Sequence, residues 1–175
     1  MKKLGGVFYG PESDLSSATL EVVSANFLSF EVPATVGTFI DHRSTSGGVN
    51  TVHSKVYVIG KYKPYFTAPM ENFELGTETV KEVMLDISEL SEPFSTTLAS
   101  PARELTFAAG AVITVEPGTR LPAAASEALQ LVAWAGVPEG PTFVLPKALA
   151  KRGYRLDARE GGLFLCCDGM IIVVR

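Results

Sequence analysis

Residues 154–175 read YRLDAREGGLFLCCDGMIIVVR. Two turn signals, EGG at 160–162 and DG at 168–169, divide this stretch into three segments rich in apolar residues. An Asp-Gly pair between two apolar runs favours a two-residue hairpin turn, because both residues tolerate positive φ. The end of the chain is therefore predicted to form three successive antiparallel strands.

Short strands are also predicted upstream, because apolar and polar residues alternate over several runs. In residues 18–32, for example, Leu28, Phe30 and Val32 share one face. Residues 61–78 contain Pro64, Pro69 and Gly76 and are predicted to be irregular. The other predicted strands lie at 35–41, 54–60, 79–87, 103–107, 110–116 and 142–146.

Two short helices are predicted among these strands. The first covers 124–135, in the Ala-rich run AAASEALQLVAWAG, with Gly136 as its C-cap and Pro138 just beyond. The second covers 146–152, with Pro146 in its first turn and Gly153 after its end. The pattern as a whole predicts a mainly β fold: an antiparallel sandwich or barrel-like domain with one or two short helices. Residues 1–17 are predicted to be an extended N-terminal arm, and 18–175 a single β-rich domain.

The composition disfavours several classes of protein. The net charge of −4 and a pI near 5.2 give no sign of the basic surface of a nucleic-acid binder. No run of 18 apolar residues is present, and the start, MKKLGGVFYGPES, lacks the apolar core of a secretory signal. The two cysteines, Cys166 and Cys167, are adjacent and would point to opposite faces of a strand, which favours free thiols in a reducing compartment.

Both histidines belong to the stretch GTFIDHRSTSGGVNTVHSK at 37–55. If strands 36–42 and 53–59 form a hairpin with a loop at 43–52, His42 lies opposite His53, with Cβ atoms about 5 Å apart. A zinc site needs three or four ligands, and Asp41 would point to the other face of the strand. The sequence therefore predicts a polar hairpin loop, without a metal or another cofactor.

No catalytic residues are predicted, because the chain has no Gly-x-Ser-x-Gly, P-loop or His-Glu-x-x-His motif. One enzymatic resemblance is present. PFSTTLASPARELTF at 93–107 resembles the Ser-Thr-Ser strand of mono-ADP-ribosyltransferases, and TFVLPKALAKRGYRL at 142–156 resembles their later strand. Thr142 stands where that family has its catalytic Glu, and KVYVIGKYK at 55–63 lacks the expected Arg. The resemblance implies an inactive or divergent relative, which is kept as the alternative function.

Two further patterns point to contacts between copies of the chain. LFLCC at 163–167 and MIIVV at 170–174 are apolar on both faces, so both faces need a cover. That cover is either a second sheet together with the helix at 124–135, or another subunit. Residues 71–92 are rich in acids and 147–159 rich in bases, which suits either two solvated faces or head-to-tail association.

FAAGAVITVEPGT at 107–119 is similar to the Gly-led strand and turn of the head-decoration proteins of tailed bacteriophages. This resemblance implies a non-enzymatic structural protein of a virion, made in the bacterial cytoplasm. Such a protein would stabilise a capsid or tail through contacts between subunits. Its expected partners are further copies of itself in a symmetric oligomer and other virion proteins, and neither nucleic acid nor a membrane.

Overall fold

The computed structural model describes residues 8–9, 14–22, 29–30, 32–42, 54–68, 72–97, 105–122 and 127–168. Within these ranges the chain forms mostly strands. They are β1 Phe8–Tyr9, β2 Leu15–Val22, β3 Ser29–Phe30, β4 Ala34–Asp41, β5 Val56–Pro64, β6 Phe73–Leu75, β7 Glu82–Asp86, β8 Phe94–Ser95, β9 Thr106–Phe107, β10 Val112–Glu116, β11 Ala128–Ala133, β12 Thr142–Val144, β13 Tyr154–Arg159 and β14 Gly162–Cys167. The helix in these ranges is α1, Lys147–Ala150.

The main sheet has eight strands, and every pair of neighbours in it is parallel. Its central order is β12-β10-β7-β5-β4-β2, while β6 pairs with both β5 and β9. A second sheet has the order β13-β14-β11-β8, and β1 pairs with β3 in a separate parallel ribbon. The three longest strands, β2, β4 and β5, lie together in the main sheet.

The main sheet is built like a solenoid, because its strands lie side by side in the order in which the chain makes them. Between several of these strands, the described chain passes through other sheets. The chain forms β3 between β2 and β4, and β8 between β7 and β10. Strands outside the main sheet also pair in parallel, as β8 does with β11. Each turn of the chain therefore stacks on the turn before it, and we call these turns coils.

The predicted antiparallel sandwich or barrel is wrong. The clearest case is the predicted hairpin of 36–42 with 53–59: β4 and β5 are parallel, with Ala34 beside Val56 and Asp41 beside Pro64. Two-residue periodicity identifies a strand that is buried on one face, but it is the same for both strand directions. Parallel neighbours are usually joined by a helical crossover. Between β2 and β4, and again between β7 and β10, a strand of another sheet takes that place, so no helical pattern marks the parallel order there.

Of the two predicted helices, the one at 146–152 is confirmed and the one at 124–135 is wrong. α1 follows Pro146, and Gly153 just beyond it has φ of 82°. Residues 128–133 instead form β11, which pairs with β14 on one side and with β8 on the other. The helical preference of Ala and Leu is worth only tenths of a kcal/mol per residue. Two ladders of hydrogen bonds and the burial of Leu131 and Val132 outweigh that preference.

The core is a column of side chains inside the stacked coils. The strand register places Phe39, Tyr62, Leu85 and Val115 side by side, and all four are fully buried. Tyr62 lies at the centre of an aromatic cluster. Its ring centroid is 6.1 Å from that of Phe39, 5.7 Å from that of Phe73 and 6.1 Å from that of Phe94.

Two glycines allow the first three coils to approach closely. A Cβ atom on Gly37 would lie 2.5 Å from the carbonyl oxygen of Ser16 in β2. A Cβ atom on Gly60 would lie 2.6 Å from the carbonyl oxygen of Gly37. The register shifts at the same level, between Leu15 and Thr19 and between Val36 and Thr38. The irregularity thus repeats from coil to coil, and only glycine fits there.

The first of the two predicted C-terminal hairpins is confirmed. β13 and β14 are antiparallel, and the turn between Arg159 and Gly162 contains Gly161 with φ of 86°. In β14 Leu163 and Leu165 are fully buried, while Phe164 on the other face packs against the guanidinium of Arg159 at 4.1 Å. The predicted turn at 168–169 and the strand at 170–174 extend beyond the described residues.

Candidate functional site

The outer face of the main sheet carries ion pairs that join neighbouring coils. Lys61 Nζ lies 3.2 Å from Asp86 Oδ2, and Lys63 Nζ lies 3.2 Å from Glu89 Oε1. Lys55 pairs with Glu74 in the same way. The three lysines come from β5 and its approach, and the acids come from the next coil. Three of the seven acids in the segment 71–92 are therefore paired within the chain, which weakens the case for head-to-tail attraction between copies.

Asp86 is the most enclosed of these acids, with 6 % of the residue exposed. Burial acts to raise the pKa of the Asp86 carboxyl. Hydrogen bonds from the side chain and backbone of Ser88, together with the ammonium of Lys61, outweigh burial and hold the pKa below its ordinary value. The Ser88 hydroxyl donates to Oδ1 at 2.6 Å. The folded chain therefore favours the charged form of Asp86.

We expect Asp86→Asn to lower the free energy of unfolding at pH 7 by about 1–3 kcal/mol, because charge-assisted hydrogen bonds are lost. A depressed pKa stabilises the fold above the unfolded value of about 3.9, and this contribution disappears as the pH falls through the folded pKa. Urea unfolding at pH 7 and pH 3 should therefore show a difference between variant and wild type that shrinks in acid. Glu89→Gln, at an exposed pair, is the control and should cost less than about 1 kcal/mol. An undiminished difference for Asp86→Asn at pH 3 would contradict the assignment.

His42 follows β4 and contacts two neighbouring coils. Its Nε2 lies 2.8 Å from Glu21 Oε1, and its ring stacks on that of Tyr65 with centroids 3.8 Å apart. The parallel register, in which Tyr65 N–H donates to the carbonyl of Asp41, places Tyr65 at this point. The predicted pairing of His42 with His53 required a hairpin of antiparallel strands, and it is wrong because β4 and β5 are parallel. His53 itself lies outside the described residues. In the described ranges, no three His, Cys, Asp or Glu side chains are grouped as metal ligands.

A cleft of about 370 Å³ lies where the chain turns after β8 and after β11. These turns belong to successive coils, so the cleft runs along one corner of the solenoid. Its polar side chains among the described residues are Thr96, Thr97, Thr106 and Glu139. Its apolar side chains include Leu105, Phe107, Trp134, Val137 and Pro138. None of the described lining residues is a lysine or an arginine.

Trp134 fixes one wall of the cleft. Its indole Nε1–H donates to the carbonyl of Arg159 at 3.0 Å, and its ring stacks on Phe143 with centroids 5.6 Å apart. Phe143 in turn meets the edge of Phe107, with centroids 5.4 Å apart. These contacts join β9, β12 and the β13–β14 turn around the same wall. The cleft is therefore built on strands that are held in place from several sides.

The outer edge of β2 is a second candidate site. His42 N–H donates to the carbonyl of Val22 at 2.9 Å, so the backbone groups of Val22 point toward β4. Backbone groups alternate in direction along a strand. Those of Thr19 and Glu21 therefore point away from the sheet, and both side chains are exposed. Among the strands that the structure describes, none pairs with this edge.

The opposite end of the solenoid is partly covered. β12 ends the main sheet there, and α1 and β13 follow it, with β13 in contact with both. The base-rich segment 147–159 forms this cover. Its arginines are engaged within the chain: Arg152 lies over Tyr154 at 5.4 Å, and Arg155 Nε lies 2.5 Å from Asp168 Oδ1. The two ends of the described solenoid are thus unlike each other.

The two segments that resemble mono-ADP-ribosyltransferases lie in different places. Ser95 ends β8 in the four-stranded sheet, whereas Thr142 begins β12 in the main sheet. FAAGAVITVEPGT holds the strand and turns predicted for it, with Gly110 and Gly118 both at positive φ. Cys166 and Cys167 are free thiols, and Cys166 is buried. No helix in the described ranges is long and apolar enough to cross a membrane.

No pattern in the sequence marks the cleft or the outer edge of β2. Thr96, Thr106 and Trp134 come from separate strand ends that only the parallel stacking of coils brings together. Comparison with protein-family models, with curated proteins and with solved structures finds no match for this chain.

Proposed function

We propose that this chain is a non-enzymatic structural protein that acts through association of its own copies, with the outer edge of β2 as the contact. The observation that carries the proposal is the outward direction of the backbone groups of Thr19 and Glu21 in an eight-residue edge strand. Such an edge is a template for a further strand. A second copy supplies a strand of the same length and pattern.

A two-fold symmetric dimer suits this edge better than head-to-tail stacking of copies. Head-to-tail stacking would join β2 to β12 of the next copy, but β12 has only three residues and lies beside α1 and β13. Antiparallel pairing of β2 with β2 of a second copy uses the whole edge and closes the assembly as a dimer. Centred on Thr19, it places Thr19 opposite Thr19, and Ser17 opposite Glu21 of the second copy. Hydroxyl pairs of this kind stabilise antiparallel strands.

A phage particle remains the proposed setting, supported by the resemblance of residues 107–119 to head-decoration proteins. A stack of coils with a continuous aromatic and aliphatic core suits a decoration or tail component, because the module keeps its shape while its edge binds. Further virion proteins are the proposed partners of the assembled form.

Sedimentation velocity across protein concentration tests the proposal. Edge pairing alone buries less than the usual 800 Å² per partner, so the dimer should be weak and should grow with concentration. We expect a shift from monomer to dimer between about 1 μM and about 1 mM. A monomer throughout that range would overturn the proposed function.

A further inference from the structure

We propose that the cleft between the turns after β8 and β11 binds a short, uncharged oligosaccharide. This inference is independent of self-association, since the cleft lies several coils away from β2 in the order of strands. Its volume of about 370 Å³ falls in the range of small-molecule sites. The chemistry of the lining residues identifies the class of ligand.

Among the described residues, the threonine hydroxyls of the cleft make only long hydrogen bonds. Thr96 Oγ1 reaches the carbonyl of Ala133 only at 3.5 Å, although the residue is 5 % exposed. Thr106 Oγ1 lies 3.4 Å from the carbonyl oxygen of Phe73 and 3.4 Å from the carboxylate of Glu74. Thr97 Oγ1 lies 3.3 Å from Ser95 Oγ. Good hydroxyl hydrogen bonds span about 2.5–3.0 Å. A ligand that brings hydroxyl groups would complete these bonds.

The charge of the described lining residues argues against an anionic ligand. Glu139 contributes a carboxylate, and no cation is present among the described lining residues. A carboxylate only accepts hydrogen bonds, whereas hydroxyls both donate and accept. The cleft therefore favours an uncharged partner that carries donors as well as acceptors.

The apolar lining residues favour a ligand that has apolar faces as well as hydroxyl groups. Phe107, Trp134 and Pro138 are among the lining residues, and Val137, which also lines the cleft, is 46 % exposed. A sugar ring presents C–H groups on its faces and hydroxyls around its edge. Such a ring covers the apolar wall while its hydroxyls meet the threonines, which is the division of roles expected in a small-molecule site.

Trp134 gives a direct test, because it is the only tryptophan in the chain. The probes are neutral trisaccharides of glucose, galactose and N-acetylglucosamine, with a trisaccharide of galacturonic acid as the anionic counterpart. We expect at least one neutral probe to give a saturable change in Trp134 fluorescence, with matching heat in calorimetry, at a Kd of about 0.1–5 mM. The galacturonate probe should bind more weakly than that neutral probe.

The site is tested with Thr96→Val and Thr97→Val, which remove one hydroxyl each at nearly constant shape. The loss of one hydrogen bond, about 1 kcal/mol, corresponds to binding that is about fivefold weaker. Thr114→Val, on β10 outside the cleft, is the matched control and should leave binding unchanged. Thermal unfolding checks that each variant is folded. If Thr96→Val does not fold, the binding measured for Thr97→Val alone tests the site. No binding of any neutral probe by either method, preferred binding of galacturonate, or unchanged binding in the folded variants would each overturn the inference.

Discussion

Replacing Tyr62 with alanine should lower the free energy of unfolding by about 3–5 kcal/mol. Tyr62 is fully buried and lies at the centre of the aromatic cluster, in contact with Phe39, Phe73 and Phe94. These rings come from the coils on either side of β5, so the side chain links three successive coils. Its loss leaves a cavity that stiffly paired strands cannot close, and such cavities add to the cost of lost burial.

Tyr62→Phe is the matched control, because it keeps the ring and the stacking and removes only the hydroxyl. We expect it to retain most of the stability that the alanine variant loses. Urea unfolding followed by circular dichroism measures both. A loss below about 1 kcal/mol for Tyr62→Ala would show that the cluster is not the centre of the core.

The sequence predicts where strands lie much better than how they pair. β4, β7, β10 and β12 fall within the predicted runs at 35–41, 79–87, 110–116 and 142–146 or differ from them by one residue. Alternation shows that one face of each run is buried. Direction and neighbours depend instead on contacts between distant residues, such as Phe39 with Tyr62, which no local pattern records.

The error at residues 128–133 has a related cause. An Ala- and Leu-rich run favours a helix when judged alone. In the folded chain the same run lies between β14 and β8, and those neighbours supply hydrogen bonds to both of its edges. The confirmed helix α1 is different, because Pro146 and Gly153 are local signals that act within the segment itself.

The candidate sites were harder to predict than the strands. The two histidines are rare residues that lie close together in the sequence, which suggested that they face each other. In the structure His42 instead contacts Glu21 and Tyr65. The cleft combines threonines at 96, 97 and 106 with a tryptophan at 134, and these are ordinary residues that share no motif. The place of β2 at the edge of the described sheet follows only from the strand order. Both sites form only because the coils stack in this order.

Thr19→Pro should weaken self-association at least about tenfold, which corresponds to about 1.4 kcal/mol. Proline removes the outward N–H of residue 19 and adds bulk at the centre of the proposed contact. The β2–β4 ladder keeps its bonds, because those come from Leu20 and Val22 on the other side of the strand. Proline at an edge position of this kind is tolerated by folded sheets.

Thr19→Val is the matched control, since it keeps the N–H and the β-branched shape. It removes only the Thr19–Thr19 hydroxyl pair, worth less than about 1 kcal/mol, so it should weaken association by less than about fivefold. Thr19→Lys provides a second disruptive variant, because lysine on an edge strand opposes pairing through charge. Sedimentation velocity measures all three. Equal association of Thr19→Pro, Thr19→Lys and the wild type would place the contact elsewhere on the surface, while self-association itself would stand.

Backbone amide hydrogen exchange at β2, measured by NMR at low and high protein concentration, tests the central claim most directly. In the monomer the outward amides of Thr19 and Glu21 should exchange freely, while those of Leu20 and Val22 are protected by pairing with β4. Raising the concentration should add protection at Thr19 and Glu21 and leave Leu20 and Val22 unchanged. Protection at Thr19 and Glu21 that does not change with concentration, in a protein that nevertheless associates, would contradict pairing through this edge.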